Sequence, residues 1–224
     1  MSGVVISETL RRHYTSVAFV AYAIVMVMAA LFVARFDRPA SVWPGLVTLL
    51  ALLGGCAPIG PEFSSGTLQL ILVKPITRAV YLLSRVAGVV IFVWIAASLA
   101  AATEWLGRGF SDGTPIATAL VHSMAAALLV VSLLTLFGSF TRAYFNVALY
   151  FGTMMFLGLL TGISARKFPE EVTRALTAIS RNLYPDAPSR FSTEWLLLVA
   201  SNAAIALVLA CLVFRRREVP YGAE

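Results

Sequence analysis

The sequence predicts an all-α protein whose helices cross a membrane several times. Of its 224 residues, 59% are hydrophobic and only 12% are charged, and the mean hydropathy is +0.87. A water-soluble domain cannot cover so much apolar surface. The apolar residues also form runs of bilayer length without the alternation of a membrane β-barrel. Helices are therefore expected, because backbone amides in lipid must be paired within their own segment.

Six apolar runs predict a polytopic protein with six transmembrane helices. Each run is close to the roughly 20 helical residues that cross the hydrocarbon core. The runs cover about residues 15–34, 42–59, 80–102, 116–137, 144–163 and 195–214. The first run is too long for the core of a signal peptide, so we interpret it as a retained span. No repeat or Pro/Gly-rich linker divides the chain, and residues 1–224 are predicted to form a single membrane domain.

The segment between the fifth and sixth runs, residues 164–194, has an amphipathic pattern. Behind Pro169, apolar residues recur at helical spacing between charged ones, and Tyr184-Pro185 ends the pattern. One interpretation is a helix that lies in the outer membrane interface. The other is a partly re-entrant gate over a translocation path.

The segment between the second and third runs differs from an ordinary loop. Pro61 and Glu62 suit the first turn of a helix, and Pro75 ends it. The pattern predicts a short helix over about residues 62–74, which is too short to span a bilayer. Such a helix could rest on the membrane surface without a partner, or dock in a groove of another protein.

This segment resembles the signature of type-2 ABC transporter permeases. The resemblance is carried by Glu62, Gly66-Thr67-Leu68, Leu70, Leu72, Lys74-Pro75, Thr77-Arg78 and, at the start of the next span, Arg85. Gln69 departs from the pattern, because the family often has Glu there. More loosely, the resemblance extends to the six spans, the long segment before the last span and an amphipathic N-terminal segment.

The resemblance implies a transmembrane permease subunit of an ATP-driven exporter. It implies that residues 62–74 are a coupling helix on a cytosolic ATPase subunit, that the N-terminal segment is an elbow helix, and that two ATPase copies hold ATP and Mg²⁺. A second permease subunit is also implied, as a homodimer or close heterodimer. The expected ATPase-coupling residues are Glu62, Phe63, Gly66, Thr67, Leu68, Leu70, Leu72, Lys74, Pro75 and Arg78.

Catalytic and ATP-binding motifs are not found in the sequence. Its two histidines, His13 and His122, belong to no HExxH motif, and there is no GxSxG motif or pair of carboxylates within a span. No enzyme activity and no metal site are therefore predicted. The basic residues flank the apolar runs, which argues against nucleic-acid binding. The alternative function is a six-span channel or scaffold without an ATPase partner, which would not need residues 62–78.

Polar residues inside the apolar runs are the remaining site candidates. Arg85 lies about two turns inside the third run, where it either extends to the cytoplasmic headgroups or pairs with Glu62. His122, Asn146 and Asn202 lie at membrane depth, where polar groups usually hydrogen-bond between helices. Each is also a candidate for the substrate path.

Charge alone does not orient the chain, since the basic residues divide equally between the two sides. The unopposed Arg215-Arg216-Arg217 after the last run favours a cytoplasmic C-terminus. The implied coupling helix favours the same orientation, with both termini in the cytoplasm and the spans in a bacterial-type inner membrane.

Overall fold

The computed structural model describes residues 2–36, 42–56, 77–110, 113–141, 145–185, 188 and 190–216. Within these ranges the chain forms eight α-helices and no β-strand, so the predicted all-α class is confirmed. The helices are α1 (Gly3–Thr15), α2 (Val17–Arg35), α3 (Val42–Gly55), α4 (Arg78–Gly107), α5 (Thr114–Phe140), α6 (Phe145–Lys167), α7 (Glu170–Leu183) and α8 (Thr193–Arg216).

Five helices are long and apolar enough to cross a membrane. They are α2, α4, α5, the Phe145–Ser164 part of α6, and α8. The predicted second span corresponds to α3, which has 14 residues. At 1.5 Å per residue it is about 21 Å long, shorter than the roughly 30 Å hydrocarbon core. The rest of that predicted span, residues 57–59, lies outside the described residues.

Helices α4 and α5 form the centre of the bundle. In each, 56% of the most apolar stretch is buried, against 22% or less in α2, α6 and α8. Helix α3 packs between α4 and α5, α8 packs along α5, and α2 packs on α3 and α4. Small residues such as Ala96, Ala97 and Ala100 are buried in α4. Small side chains allow helix backbones to approach closely, as is common in membrane bundles.

The outer helices expose large apolar side chains to their surroundings. Phe32 on α2, Phe156 on α6 and Val208 on α8 are examples. A soluble protein rarely exposes contiguous apolar surface of this kind, and helices that are apolar all round are typical of membrane spans. We conclude that this chain is a multi-pass membrane protein.

Two amphipathic helices lie beside the bundle. Helix α1 packs along the first half of α4 and contacts α2, and α7 packs mainly against α6. The helix predicted behind Pro169 is present as α7, and none of its described side chains is fully buried. Its exposed first turn contains Glu170, which lies 3.8 Å from Arg174 one turn later.

Candidate functional site

Most of the predicted coupling residues lie outside the part of the chain that the structure describes. These are Glu62, Phe63, Gly66, Thr67, Leu68, Leu70, Leu72, Lys74 and Pro75. The described chain resumes at Thr77, whose hydroxyl accepts a hydrogen bond from the amide of Val80 at 3.4 Å. Thr77 is thus the N-cap of α4, and Arg78 is the first residue of that helix.

Arg85 is buried beneath α1. Arg85 is only 5% exposed. The guanidinium donates from Nε to the hydroxyl of Tyr81 and from Nη1 to the hydroxyl of Thr9, both at 3.1 Å. Helix α1 therefore covers the guanidinium and supplies one of its acceptors, the hydroxyl of Thr9. Glu62, its other expected partner, lies outside the described residues.

Close contacts hold α1 against α4. The amide of Ser2 donates to Oγ of Ser84 at 2.8 Å. One turn after Ser84, Gly88 leaves no room for a side chain: a Cβ atom at this position would lie 2.6 Å from Cβ of Thr9. Helix α1 therefore packs closely on α4 over more than one turn, and at Gly88 it contacts the backbone of α4.

The far end of α1 is packed among aromatic rings. The imidazole of His13 lies 4.6 Å from the ring of Phe19 and 5.3 Å from that of Phe92, measured between centroids. A Cβ atom on Gly54, near the end of α3, would lie 3.8 Å from Nε2 of His13. Helix α1 therefore lies at the end of the bundle where the chain leaves α3 and enters α4.

Burial and hydrogen bonds perturb two titratable groups of α1. Nδ1 of His13 lies 2.7 Å from the backbone oxygen of Thr9. Burial lowers the pKa of His13 below its ordinary value, although that hydrogen bond acts in the opposite direction. On the exposed face, a hydrogen bond from Arg12 lowers the pKa of Glu8. We therefore expect His13 to be neutral and Glu8 to be ionised at neutral pH.

Asn146 joins three helices at this same end of the bundle. Its Nδ2 lies 3.3 to 3.5 Å from the backbone oxygens of Leu134, Gly55 and Cys56. Its Oδ1 accepts from the amide of Val147 at 2.9 Å, in the first turn of α6. The expectation of an interhelical hydrogen-bonding role is confirmed.

His122 lies towards the other end of α5. It is 12 residues before Leu134, or about 18 Å along the helix axis, so the structure does not bring His122 and Asn146 together. His122 is 4% exposed. Its ring centroid lies 4.8 Å from that of Trp195 and 6.1 Å from that of Phe191. Asn202 is half-buried on α8, about two turns after Trp195.

A cavity of about 250 Å³ lies beside Trp195. Helices α3, α5, α6 and α8 and the residues that follow α7 line it, including Thr48, Ala126, Met154 and Tyr184. The hydroxyl of Tyr184 lies 2.6 Å from that of Thr153 and donates to the backbone oxygen of Tyr150 at 3.3 Å. These bonds hold the chain after α7 against α6 at the side of the cavity.

Sequence reasoning identified His122 but not Trp195. Trp195 marked only the start of an apolar run, and Trp is common at such membrane boundaries. In the structure Trp195 is 9% exposed. Nε1 of Trp195 and Nε2 of His122 are both buried without a hydrogen-bond partner among the described residues.

A buried carboxylate, Glu104, was also missed. It is 0% exposed, accepts from Nε1 of Trp43 and lies 2.9 Å from Nε of Arg108. The predicted third span ended at residue 102, which left Glu104 in a loop. Glu104 and Arg108 are four residues apart, the spacing at which opposite charges pair on one face of a helix. This spacing indicates that the helix continues.

Comparisons with known proteins do not change this description. No family model matches the chain, and no curated protein matches it. Over the described ranges, no group of three or more His, Cys, Asp or Glu side chains could hold a metal ion. The chemistry of the site therefore has to be inferred from the residues themselves.

Proposed function

We propose that this chain is the transmembrane permease subunit of an ATP-driven exporter of the type-2 ABC kind. In this proposal it pairs with a second permease subunit in a bacterial-type inner membrane, with both termini in the cytoplasm. Two copies of a separate cytosolic ATPase subunit hold ATP and Mg²⁺ and hydrolyse ATP. This chain converts their closure into movement of its helices.

The packing of α1 on the first half of α4 supports the proposal most directly. Helix α1 lies at the end of the bundle where the described chain leaves α3 at Cys56 and resumes before α4 at Thr77. An amphipathic helix at this end of the bundle is what the proposal requires of an elbow helix.

The contacts of Arg85 explain how such an arrangement would transmit force. Its guanidinium joins Thr9 of α1 to Tyr81 of α4, within two turns of Arg78. A segment that pushes on the start of α4 would therefore move α1 together with it. Rigid-body movement of packed helices is a common form of conformational switching.

Co-purification with the ATPase encoded by a neighbouring gene tests the proposal. We expect Gly66→Pro and Leu70→Glu to weaken the association strongly, because one breaks a helix and the other puts a charge into an apolar contact. Phe168→Glu is the control. It makes a comparable change of polarity at an exposed residue that follows α6, at the opposite end of the bundle.

The control should leave the association at the wild-type level. If both coupling variants also retain the ATPase at that level, the permease proposal is wrong, and a channel or scaffold without an ATPase becomes the better interpretation. Equal loss in Phe168→Glu would contradict the assignment of the contact to residues 62–74.

A further inference from the structure

Helix α7 runs back along α6. It begins at Glu170, three residues after α6 ends at Lys167. At its other end the hydroxyl of Tyr184 lies 2.6 Å from that of Thr153 on α6. Thr153 is 14 residues before Lys167, about 21 Å along the helix axis, and the 14 residues of α7 have the same length. The two helices therefore lie side by side and antiparallel.

This placement carries the end of α7 to the depth of the span. The part of α6 that is apolar enough to cross a membrane ends at Ser164, and Thr153 lies about 16 Å before that end. Arg181 is three residues before Tyr184, so it lies roughly 12 Å inside the same end. A helix that lies flat in the membrane interface would not reach this depth. The geometry therefore favours the re-entrant interpretation of the segment.

Two opposite faces of α7 are exposed. One face is apolar and includes Val172 and Ile179, and the other includes Arg174 and Arg181. Each arginine is two residues from one of these apolar residues, which puts the two about 160° apart around the helix. The apolar face suits lipid, whereas an arginine that faces hydrocarbon is costly and usually lines a water-filled cavity or has a partner. Helix α7 therefore lies at a boundary between lipid and water.

The deep end of the polar face is positively charged. Together with Thr177, the two arginines line an open groove of about 640 Å³. At the mouth of this groove, Glu170 lies 3.8 Å from Arg174. Within the ranges that the structure describes, no carboxylate forms an ion pair with Arg181. An anion that enters the groove would therefore meet a guanidinium without a competing acid, and guanidinium groups bind carboxylates and phosphates well.

We propose that α7 is a re-entrant helix whose arginine face lines a water-filled cleft, open at the end of the bundle opposite α1, and that Arg181 attracts anionic groups into this cleft. The cleft rests on the antiparallel packing of α7 on the α6 span. That the cleft takes an anionic group of the transported substrate rests on the proposed function.

Ala178 and Leu159 form a matched pair for the test. Ala178 is exposed on the polar face of α7, six residues before Tyr184, and Leu159 is exposed on α6, six residues after Thr153. The two are therefore level in the membrane. Ile179, the neighbour of Ala178, is a second control on the apolar face. All three residues are exposed, so the fold should tolerate their replacement.

Collisions of a spin label with a water-soluble and a lipid-soluble reagent test the cleft. The label is attached to a single cysteine in the full chain, with Cys56 and Cys211 replaced by Ser, in phosphatidylcholine nanodiscs without any ATPase. We expect the label on Ala178→Cys to collide more often with a nickel chelate than with oxygen. On Ile179→Cys and Leu159→Cys the order should be reversed, because both residues face lipid.

The rates at which charged thiol reagents modify Ala178→Cys test the attraction of anions. An anionic and a cationic methanethiosulfonate of similar size are compared. Arg181→Gln should lower the ratio of the anionic to the cationic rate at least about fivefold, because one charge about 7 Å away in water acts with opposite sign on the two reagents. Arg11→Gln is the control, since it removes the same charge from an exposed residue of α1, at the other end of the bundle, and should leave the ratio unchanged.

Three results would overturn the proposal. Oxygen collisions at Ala178 as frequent as those at Ile179 would show that the polar face meets lipid. Nickel collisions at Leu159 as frequent as those at Ala178 would show that this level of α6 lies outside the hydrocarbon. An unchanged rate ratio in Arg181→Gln would remove the attraction of anions. The assays need no ATPase, so a cleft found together with failed ATPase association would keep the cleft and remove only its role in transport.

Discussion

Gly88→Ala should force α1 away from α4. A Cβ atom at position 88 would lie 2.6 Å from Cβ and 2.8 Å from Cγ2 of Thr9, and 3.3 Å from the backbone oxygen of Ile6. Non-bonded carbon atoms normally rest about 3.5–4.0 Å apart. Rotation of the Thr9 side chain cannot relieve the contact with its Cβ, so α1 has to retreat by about 1 Å.

Three terms set the size of the effect. Overpacking costs about 1–3 kcal/mol. The retreat also stretches the 3.1 Å bond between Arg85 and Thr9, and hydrogen bonds to charged groups are worth about 1.5–3 kcal/mol. Alanine gains up to about 1 kcal/mol over glycine in helix propensity. Because movement of α1 relieves part of the overpacking, we expect a net loss of about 2 kcal/mol.

The free energy of unfolding can be measured in mixed micelles titrated with dodecyl sulfate, and the release of α1 can be followed by limited proteolysis. Gly152→Ala on α6 is the control, because a Cβ atom there meets nothing within 4 Å. It should be neutral or slightly stabilising. If Gly88→Ala is as stable as Gly152→Ala and α1 is equally protected, the close packing of α1 on α4 is refuted.

Three further predictions concern single polar groups. Glu104→Gln removes the charge that pairs with Arg108 and should lower the free energy of unfolding by about 1–3 kcal/mol; an unchanged value would contradict a buried ion pair. Asn146→Ala removes the bonds to the end of α3 and to α5 and should cost about 1–2 kcal/mol, with loss of hydrogen-exchange protection first at the start of α6; uniform protection would argue against this role. Burial lowers the pKa of His13 from 6.5, so the unfolded chain gains a proton that the folded chain excludes. The stability of α1 docking should therefore fall as the pH drops below about 6.5, measured by proteolysis across pH, and His13→Gln should remove that slope.

The fold class and the long spans could be predicted because bilayer-length apolar runs are a property of the local sequence. The positions of the helix ends could not be predicted in the same way. Helix α4 continues past the predicted boundary to Gly107. Glu104 can lie inside this helix because it accepts a hydrogen bond from Trp43 and pairs with Arg108. A prediction from hydropathy ends the span at a charged residue. A charged residue that has a partner can instead lie inside the helix.

The site was less predictable because its contacts join distant parts of the sequence. Thr9 and Arg85 are 76 residues apart, so no local sequence pattern predicts that α1 covers the guanidinium. His122 could be noticed as a polar residue in an apolar run. Its neighbour Trp195 comes from the last helix, and only the packing of α8 along α5 brings the two rings together.

The contacts of α3 indicate which helices would move together in the proposed transporter. Near its start, Trp43 donates to Glu104 of α4, and at its end the backbone oxygen of Gly55 accepts from Asn146 of α6. With both ends attached and its length packed between α4 and α5, α3 cannot slide alone. A push through residues 57–76 would therefore act on α3, α4 and α5 as one body.

Helix α8 belongs to the same body, because it packs along α5. Helix α6 is attached to α3 and α5 only near its start, through Asn146. Only 11% of its most apolar stretch is buried, and α7 packs mainly against it. Thr48 and Trp195 line the cavity from the first body, and Met154 and Tyr184 line it from the α6–α7 side. Rotation of α6 and α7 about this attached end would change the width of the cavity, so the proposed push could act on the cavity from a distance.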